Sequence, residues 1–169
     1  QAGAKHNIIP DEAKLLLTIR GYSDDTRAKL IEGIKRISRG EAIAAGVPDD
    51  RMPVVTVKDE FTPSTYNPPE FAEQMAGILK AHFPEGRVVK TTAVMGGEDF
   101  GRFYRADKSI NSFIFWVGGV PADKMAQAAA GQATLPSLHS PFWAPEADKV
   151  IATASEALTV LALDILKKH

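Results

Sequence analysis

The hydrophobic pattern opens with an alternation. In residues 14–20, Leu15, Leu17 and Ile19 alternate with Leu16, Thr18 and Arg20, so one face is wholly apolar and the other mixed, which predicts a strand. A turn over residues 8–13 precedes it, and Gly21, Tyr22, Ser23, Asp24 and Asp25 break it while supplying N-cap candidates. The rhythm then becomes helical. Leu30, Ile34 and Ile37, with Ile31 beside them, form one stripe, and Arg27, Glu32, Lys35 and Arg36 are expected to face outward. This helix is predicted to run to Ala45 and stop at Gly46, just ahead of Pro48. A second strand is predicted over residues 54–61, behind Pro53, and strand–helix–strand of this length predicts a βαβ-like unit of an α/β layer.

Residues 63–69 interrupt the pattern, because Pro63, Pro68 and Pro69 exclude helix and disfavour strand. A lobe boundary is placed there. Pro69 is expected to open a helix at its first position, with Phe71, Met75, Ile78 and Leu79 on the apolar face and Phe83-Pro84 at the end. A short strand is predicted over residues 88–94. Residues 110–117 read as a further strand, apolar enough (Phe113, Ile114, Phe115, Trp116, Val117) to be covered on both faces. The alanine-rich residues 125–132 fit a helical turn or a loop, and residues 135–143 are too proline-rich for a regular element. A last helix is predicted from about 145 to 168, with Val150, Ala154, Leu158, Leu161 and Ile165 on its stripe and Lys167 and Lys168 at the end where cations are favoured.

Composition narrows the function classes. The chain has 169 residues, 44% hydrophobic and 24% charged, which describes one globular domain or two small lobes. Its 20 basic and 21 acidic residues leave a net charge of −1, which argues against nucleic acid as a partner. The absence of cysteine excludes disulfides, thiol catalysis and thiolate metal sites. No apolar run approaches the roughly 20 residues that span a bilayer, so no membrane role is expected. No leader is visible at residues 1–7, and a leader removed earlier leaves the compartment open between cytoplasm and export. The opening Gln1-Ala2-Gly3-Ala4, without an initiator methionine, reads like the interior of a longer protein.

Three groups of residues carry candidate chemistry. Gly96-Gly97-Glu98-Asp99-Phe100 follows a predicted strand; two glycines let the backbone approach a ligand closely, and their N–H groups are able to face an anion. The alternative is a tight turn in which Glu98 or Asp99 caps the next helix. His139 lies in Leu138-His139-Ser140-Pro141, where an imidazole serves either as a metal ligand or as a packed core residue. With His6, His82 and His169 as the other histidines, spacing alone gives no metal site. Asn7 and Arg20 form the third group: an Arg fork beside an amide suits a carboxylate, and a solvated strand-end Arg with a turn Asn is the plainer reading. A stand-alone dinucleotide-binding fold is disfavoured, because Gly96-Gly97 does not make the Gly-x-Gly-x-x-Gly turn.

Taken in order, Asn7-Ile8-Ile9-Pro10-Asp11-Glu12-Ala13, Thr18-Ile19-Arg20, Met95-Gly96-Gly97-Glu98-Asp99-Phe100 and Leu138-His139-Ser140-Pro141 resemble the dinuclear-metal amidohydrolase and carboxypeptidase family. That family includes aminoacylase, carboxypeptidase G, hippurate hydrolase and the auxin-conjugate hydrolases, and the likeness is strongest to the last two. The resemblance implies an α/β fold. Residues 1–62 resemble the latter half of a lid and dimerisation domain with a βαβ-type sheet. Residues 63–169 resemble the C-terminal part of a zinc-peptidase-like α/β catalytic domain. It implies hydrolysis of the amide bond of N-acyl amino acids or small peptides, with two divalent ions (zinc, or else manganese, cobalt or nickel) activating water and polarising the carbonyl. Under it, His139 is a metal ligand, Asn7 and Arg20 hold the substrate carboxylate, and Gly96, Gly97 and Glu98 border the site. The general base and most metal ligands would lie in an N-terminal half that this chain lacks, so the chain alone is expected to be inactive, and a homodimer through the lid is expected. The competing reading is a non-catalytic binding or dimerisation module of the same family. Two departures stand out: Pro68 follows Asn67 where the branch often has aspartate, and Gly101 follows Phe100 where serine is common.

Overall fold

The computed structural model describes residues 2–167; Gln1, Lys168 and His169 lie outside the described residues, and with them the predicted last step of the C-terminal helix. The chain divides into two compact units. The first takes the residues up to Thr65 together with Ala93–Arg102, and the second takes Tyr66–Thr92 and the residues from Phe103 onward.

In the first unit, helix α1 spans Asp24–Ala44. Ser23 caps it as the sequence predicts: the hydroxyl accepts the Thr26 backbone N–H at 3.1 Å, and Asp24 and Asp25 sit at the positive end of the helix dipole. At the other end Gly46 turns left-handed at φ +71°, and the Val47 N–H reaches back to the Ala42 carbonyl at 2.9 Å. Together with the Gly46 N–H on Ile43 this is a Schellman stop, which needs a residue without a Cβ. The buried line differs from the predicted stripe. Ile31 and Ala42 are buried, Arg27, Ile34 and Ser38 are half-buried, and Leu30 and Ile37 are exposed. Arg27 places its guanidinium 4.0 Å from the centre of the Phe61 ring. A 3₁₀ turn, Asp49–Arg51, follows α1.

The second unit is built on two helices. Helix α2, Pro69–His82, starts with Pro69 at a position whose N–H has no intrahelical partner anyway, and α5 covers Ala147–Leu166. They pack through Met75 and Leu79 on α2 and Ala157 and Leu161 on α5, with Phe71, Ile78, Phe83, Val88, Phe113 and Phe115 around them. The inward line of α5 follows the predicted one in part: Leu161 is buried as expected and Val150 and Ala154 are half-buried, but Ala157 is buried in place of Leu158, which is 59% exposed. His82 Nε2 meets Glu156 Oε1 at 2.7 Å at the edge of the same contact. Two shorter helices, α3 (Gly101–Ala106) and α4 (Ala122–Ala129), complete the regular structure, and α4 settles the alanine-rich segment as helix. Just after α3, the Ser109 backbone N–H and hydroxyl hold the Asp107 carboxyl below its usual range.

No ladder forms over the predicted strands 14–20, 54–61, 88–94 and 110–117 among the described residues; an isolated antiparallel bridge joins Ala2 to Ala13. A sheet is therefore not seen in the expected lid. The physical reason is pairing: a strand becomes a strand when a neighbour takes its N–H and C=O groups, and alternation in one segment supplies no neighbour. In residues 110–117 the expected cover on both faces is replaced by cover on one. Phe113 and Phe115 stack at 5.6 Å on the α2–α5 core, and Trp116 is 68% exposed. The Asn67 side chain stands in for a neighbouring strand here, its Nδ2 donating to the Ile114 carbonyl at 2.8 Å and its Oδ1 accepting the Ile114 N–H at 2.9 Å. No helix among the described residues is long and apolar enough to cross a membrane.

The packing makes a graded prediction. Met75→Ala, at a site 1% exposed, should lower unfolding free energy by about 2–5 kcal/mol. Leu30→Ala and Leu158→Ala, which the apolar pattern alone ranks with it, should each cost under about 1 kcal/mol in the same denaturant titration.

Candidate functional site

Arg20 and the Gly96-Gly97 loop, far apart in sequence, both lie in the first unit, and the fold brings them together. A Cβ placed on Gly97 would sit 3.5 Å from Arg20 Nη1, so the guanidinium lies against the bare backbone of the loop. Arg20 is exposed, and no hydrogen bond or ion pair engages it among the described residues. A planar, permanently charged fork beside a glycine backbone matches a carboxylate in shape and charge.

The loop is fastened at both ends. The Tyr22 hydroxyl, two residues beyond Arg20, donates to the Ala93 carbonyl at 3.3 Å, and the Thr65 hydroxyl donates to the Glu98 carbonyl at 3.1 Å. Past the glycines, Arg102 Nη2 donates to the Phe61 carbonyl at 2.8 Å and Thr62 Oγ1 donates to Asp99 Oδ1 at 3.4 Å. Gly101 is buried where these segments meet. A Cβ there would come within 2.9 Å of the Ser64 carbonyl oxygen and of Thr65 Cα and Oγ1, closer than real Cβ atoms approach backbone. This accounts for glycine at the position where the resembling branch commonly has serine. The Glu98 carboxylate is occupied locally, accepting the Phe100 N–H at 3.2 Å, and so closes the turn before α3.

The remaining candidates stand apart from this pair. Asn7 occupies an exposed turn closed by the Ile8 N–H on the Lys5 carbonyl at 3.4 Å and bracketed by the Ala2–Ala13 bridge, with no hydrogen bond to Arg20. His139 belongs to the second unit. It sits in the turn closed by the Ser140 N–H on the Ser137 carbonyl at 2.9 Å, and its side chain is exposed in this chain. Among the described residues no group of three or more His, Asp or Glu side chains is placed to hold a metal ion. One imidazole is short of the three or four protein ligands that a zinc site uses, so these residues do not by themselves form a metal centre.

Comparison with known proteins adds the family. Over 114 residues the chain is 34% identical to thermostable carboxypeptidase 1 of Saccharolobus solfataricus, covering 68% of this chain and 27% of that protein. Over 123 residues it is 34% identical to an N-acetyldiaminopimelate deacetylase of Listeria welshimeri, covering 69% of this chain and 29% of that protein. The chain belongs to the amidohydrolase and carboxypeptidase family. It spans under a third of the length of these curated relatives. Thermostable carboxypeptidase 2 of S. solfataricus matches similarly, at 32% identity over 113 residues. No family model and no solved structure matches the chain.

Tyr22, Thr62, Thr65 and Arg102 were not legible as parts of this family member's loop, since each is an ordinary polar residue whose partner is 33 to 71 residues away. The serine-to-glycine departure at Gly101 was the one trace in the sequence. Gly101→Ser should therefore destabilise the chain by about 1–3 kcal/mol through overpacking. Thermal unfolding checks this, with Gly96→Ser as a control, since a Cβ on Gly96 meets nothing nearer than 3.8 Å.

Proposed function

We propose that this chain is part of a longer metal-dependent hydrolase that cleaves the amide bond of N-acyl amino acids or small peptides. The observation that carries the reading is the unengaged Arg20 guanidinium against the Gly97 backbone, a grip for the free carboxylate that such substrates carry. The names of the relatives support it: a carboxypeptidase and an N-acetyldiaminopimelate deacetylase share the demand for an amide bond near a carboxylate. In this reading Arg20 and the Gly96–Gly97 backbone orient the substrate, Asn7 assists from its turn, and His139 is one ligand of a two-ion centre whose other ligands come from outside this chain. Residues 1–62 act as lid and dimer contact and residues 63–169 as catalytic scaffold, and the exposed Leu30, Ile37 and Ile43 of α1 suit a self-association surface. A purely associating module is the second reading, supported by the exposed Leu30, Ile37 and Ile43 of α1.

Two experiments test the proposal. The 169-residue chain should hydrolyse N-acetyl and N-benzoyl amino acids no faster than background with zinc, manganese or cobalt added; metal-dependent turnover abolished by His139→Ala would overturn the proposed division of ligands. In the longer protein, Arg20→Lys should lower kcat/KM for N-acyl amino acids about tenfold to a hundredfold, and for the corresponding amides much less. That range corresponds to the roughly 1.5–3 kcal/mol of a charge-assisted hydrogen bond. An equal effect on acid and amide substrates would remove Arg20 from the carboxylate grip.

A further inference from the structure

The position of Gly97 over Arg20 depends on very little. Across residues 94–97 no hydrogen bond is made among the described residues, and the loop is exposed throughout. Its course is set by what holds its two ends. At the start, the Tyr22 O–H on the Ala93 carbonyl joins the loop to the segment that carries Arg20, two residues away. At the end, the Thr65 O–H on the Glu98 carbonyl and the contact of Thr65 with Gly101 join it to residues 61–65. That segment is itself set by the buried Pro63 and by Arg102 on the Phe61 carbonyl. With Thr62 on Asp99, four contacts fall on residues 98–102 and one on residue 93, and the two glycines hang between them.

We infer that Thr65, with Tyr22 as the second tether, is a positioning residue: its hydroxyl holds the Gly96–Gly97 backbone in place over the Arg20 guanidinium, so that a carboxylate meets fork and loop together. This rests on the reading of Arg20 as the carboxylate anchor. Thr65 touches no ligand in this arrangement. It acts by removing conformational freedom that a bound carboxylate would otherwise have to restrict, since a glycine pair is the most mobile backbone available. The two hydroxyls also fit this role because they bind main-chain carbonyls and so fix backbone position rather than the orientation of one side chain.

The test uses the 169-residue chain and two probes, N-benzoylglycine and its amide, titrated by NMR. Backbone 15N order parameters at Gly96 and Gly97 are read in the ligand-free protein. Thr65→Val removes the hydroxyl at nearly constant shape, and Thr65→Ser keeps it. The expected result is that Thr65→Val lowers the backbone order parameters of Gly96 and Gly97. It should also lower the preference for acid over amide by about threefold to tenfold, the span of one neutral hydrogen bond. Thr65→Ser should restore both, and Tyr22→Phe should lower the preference in the same direction. If Thr65→Val leaves the loop order parameters and the acid-over-amide ratio at wild-type values, the inference is overturned. It is also overturned if acid and amide weaken equally, the mark of general loosening. The carboxylate reading fails separately: a wild-type chain that does not prefer the acid, or whose preference survives Arg20→Ala, removes the anchor, and the positioning role falls with it.

Discussion

Packing of α2 on α5 is the contact on which the second unit depends. Ala157 presents almost no side chain, so Met75 and Leu79 come close to the α5 backbone, and Leu161 closes the gap one turn on. Each large side chain removed from water here contributes about 1.5–3 kcal/mol, far more than the exposed His82–Glu156 pair beside it. The stacked Phe113 and Phe115 rest on this surface, and the Asn67 amide holds the same segment by its backbone at Ile114. Helix pairing thus comes first, and a strand-like segment is laid on it.

The apolar side chains that stay exposed matter as much. Leu16 is 84% exposed, Val54 90% and Phe142 82%, and helix α5 carries no charge between Lys149 and Glu156 or between Glu156 and Asp164. Helices and segments this apolar are made to be enclosed. Under the proposed function, the remainder of a family-length protein would supply both the covering side chains and the strands that pair with residues 14–20 and 110–117.

The candidate site is governed by a different kind of interaction. Hydroxyl-to-carbonyl bonds at the two ends of the loop and the close approach at Gly101 fasten the chain on either side of Gly97. Such contacts are individually worth about 1 kcal/mol, yet they set atomic positions that burial cannot set, because hydrophobic packing has no direction.

The sequence by itself determined the local features. Ser23 as cap, Gly46 as stop, Pro69 at the first turn of α2 and the apolar content of α5 follow from short-range chemistry within a few residues, and the ordered motifs around Asn7, Arg20, Gly96 and His139 pointed to the family. Tertiary structure decided which side of each helix is buried, since a stripe two residues wide leaves open whether Leu30 or Ile31, Leu158 or Ala157, faces the neighbour. It decided that the alternating segments lack ladders, because pairing belongs to two segments and alternation to one. It also decided that Arg20 meets Gly97 while Glu98 is used for its own turn, and that His139 is exposed. Those outcomes rest on backbone carbonyls at Ala93, Glu98 and Phe61, and every residue carries a carbonyl, so no residue type announces in advance which ones will be bound.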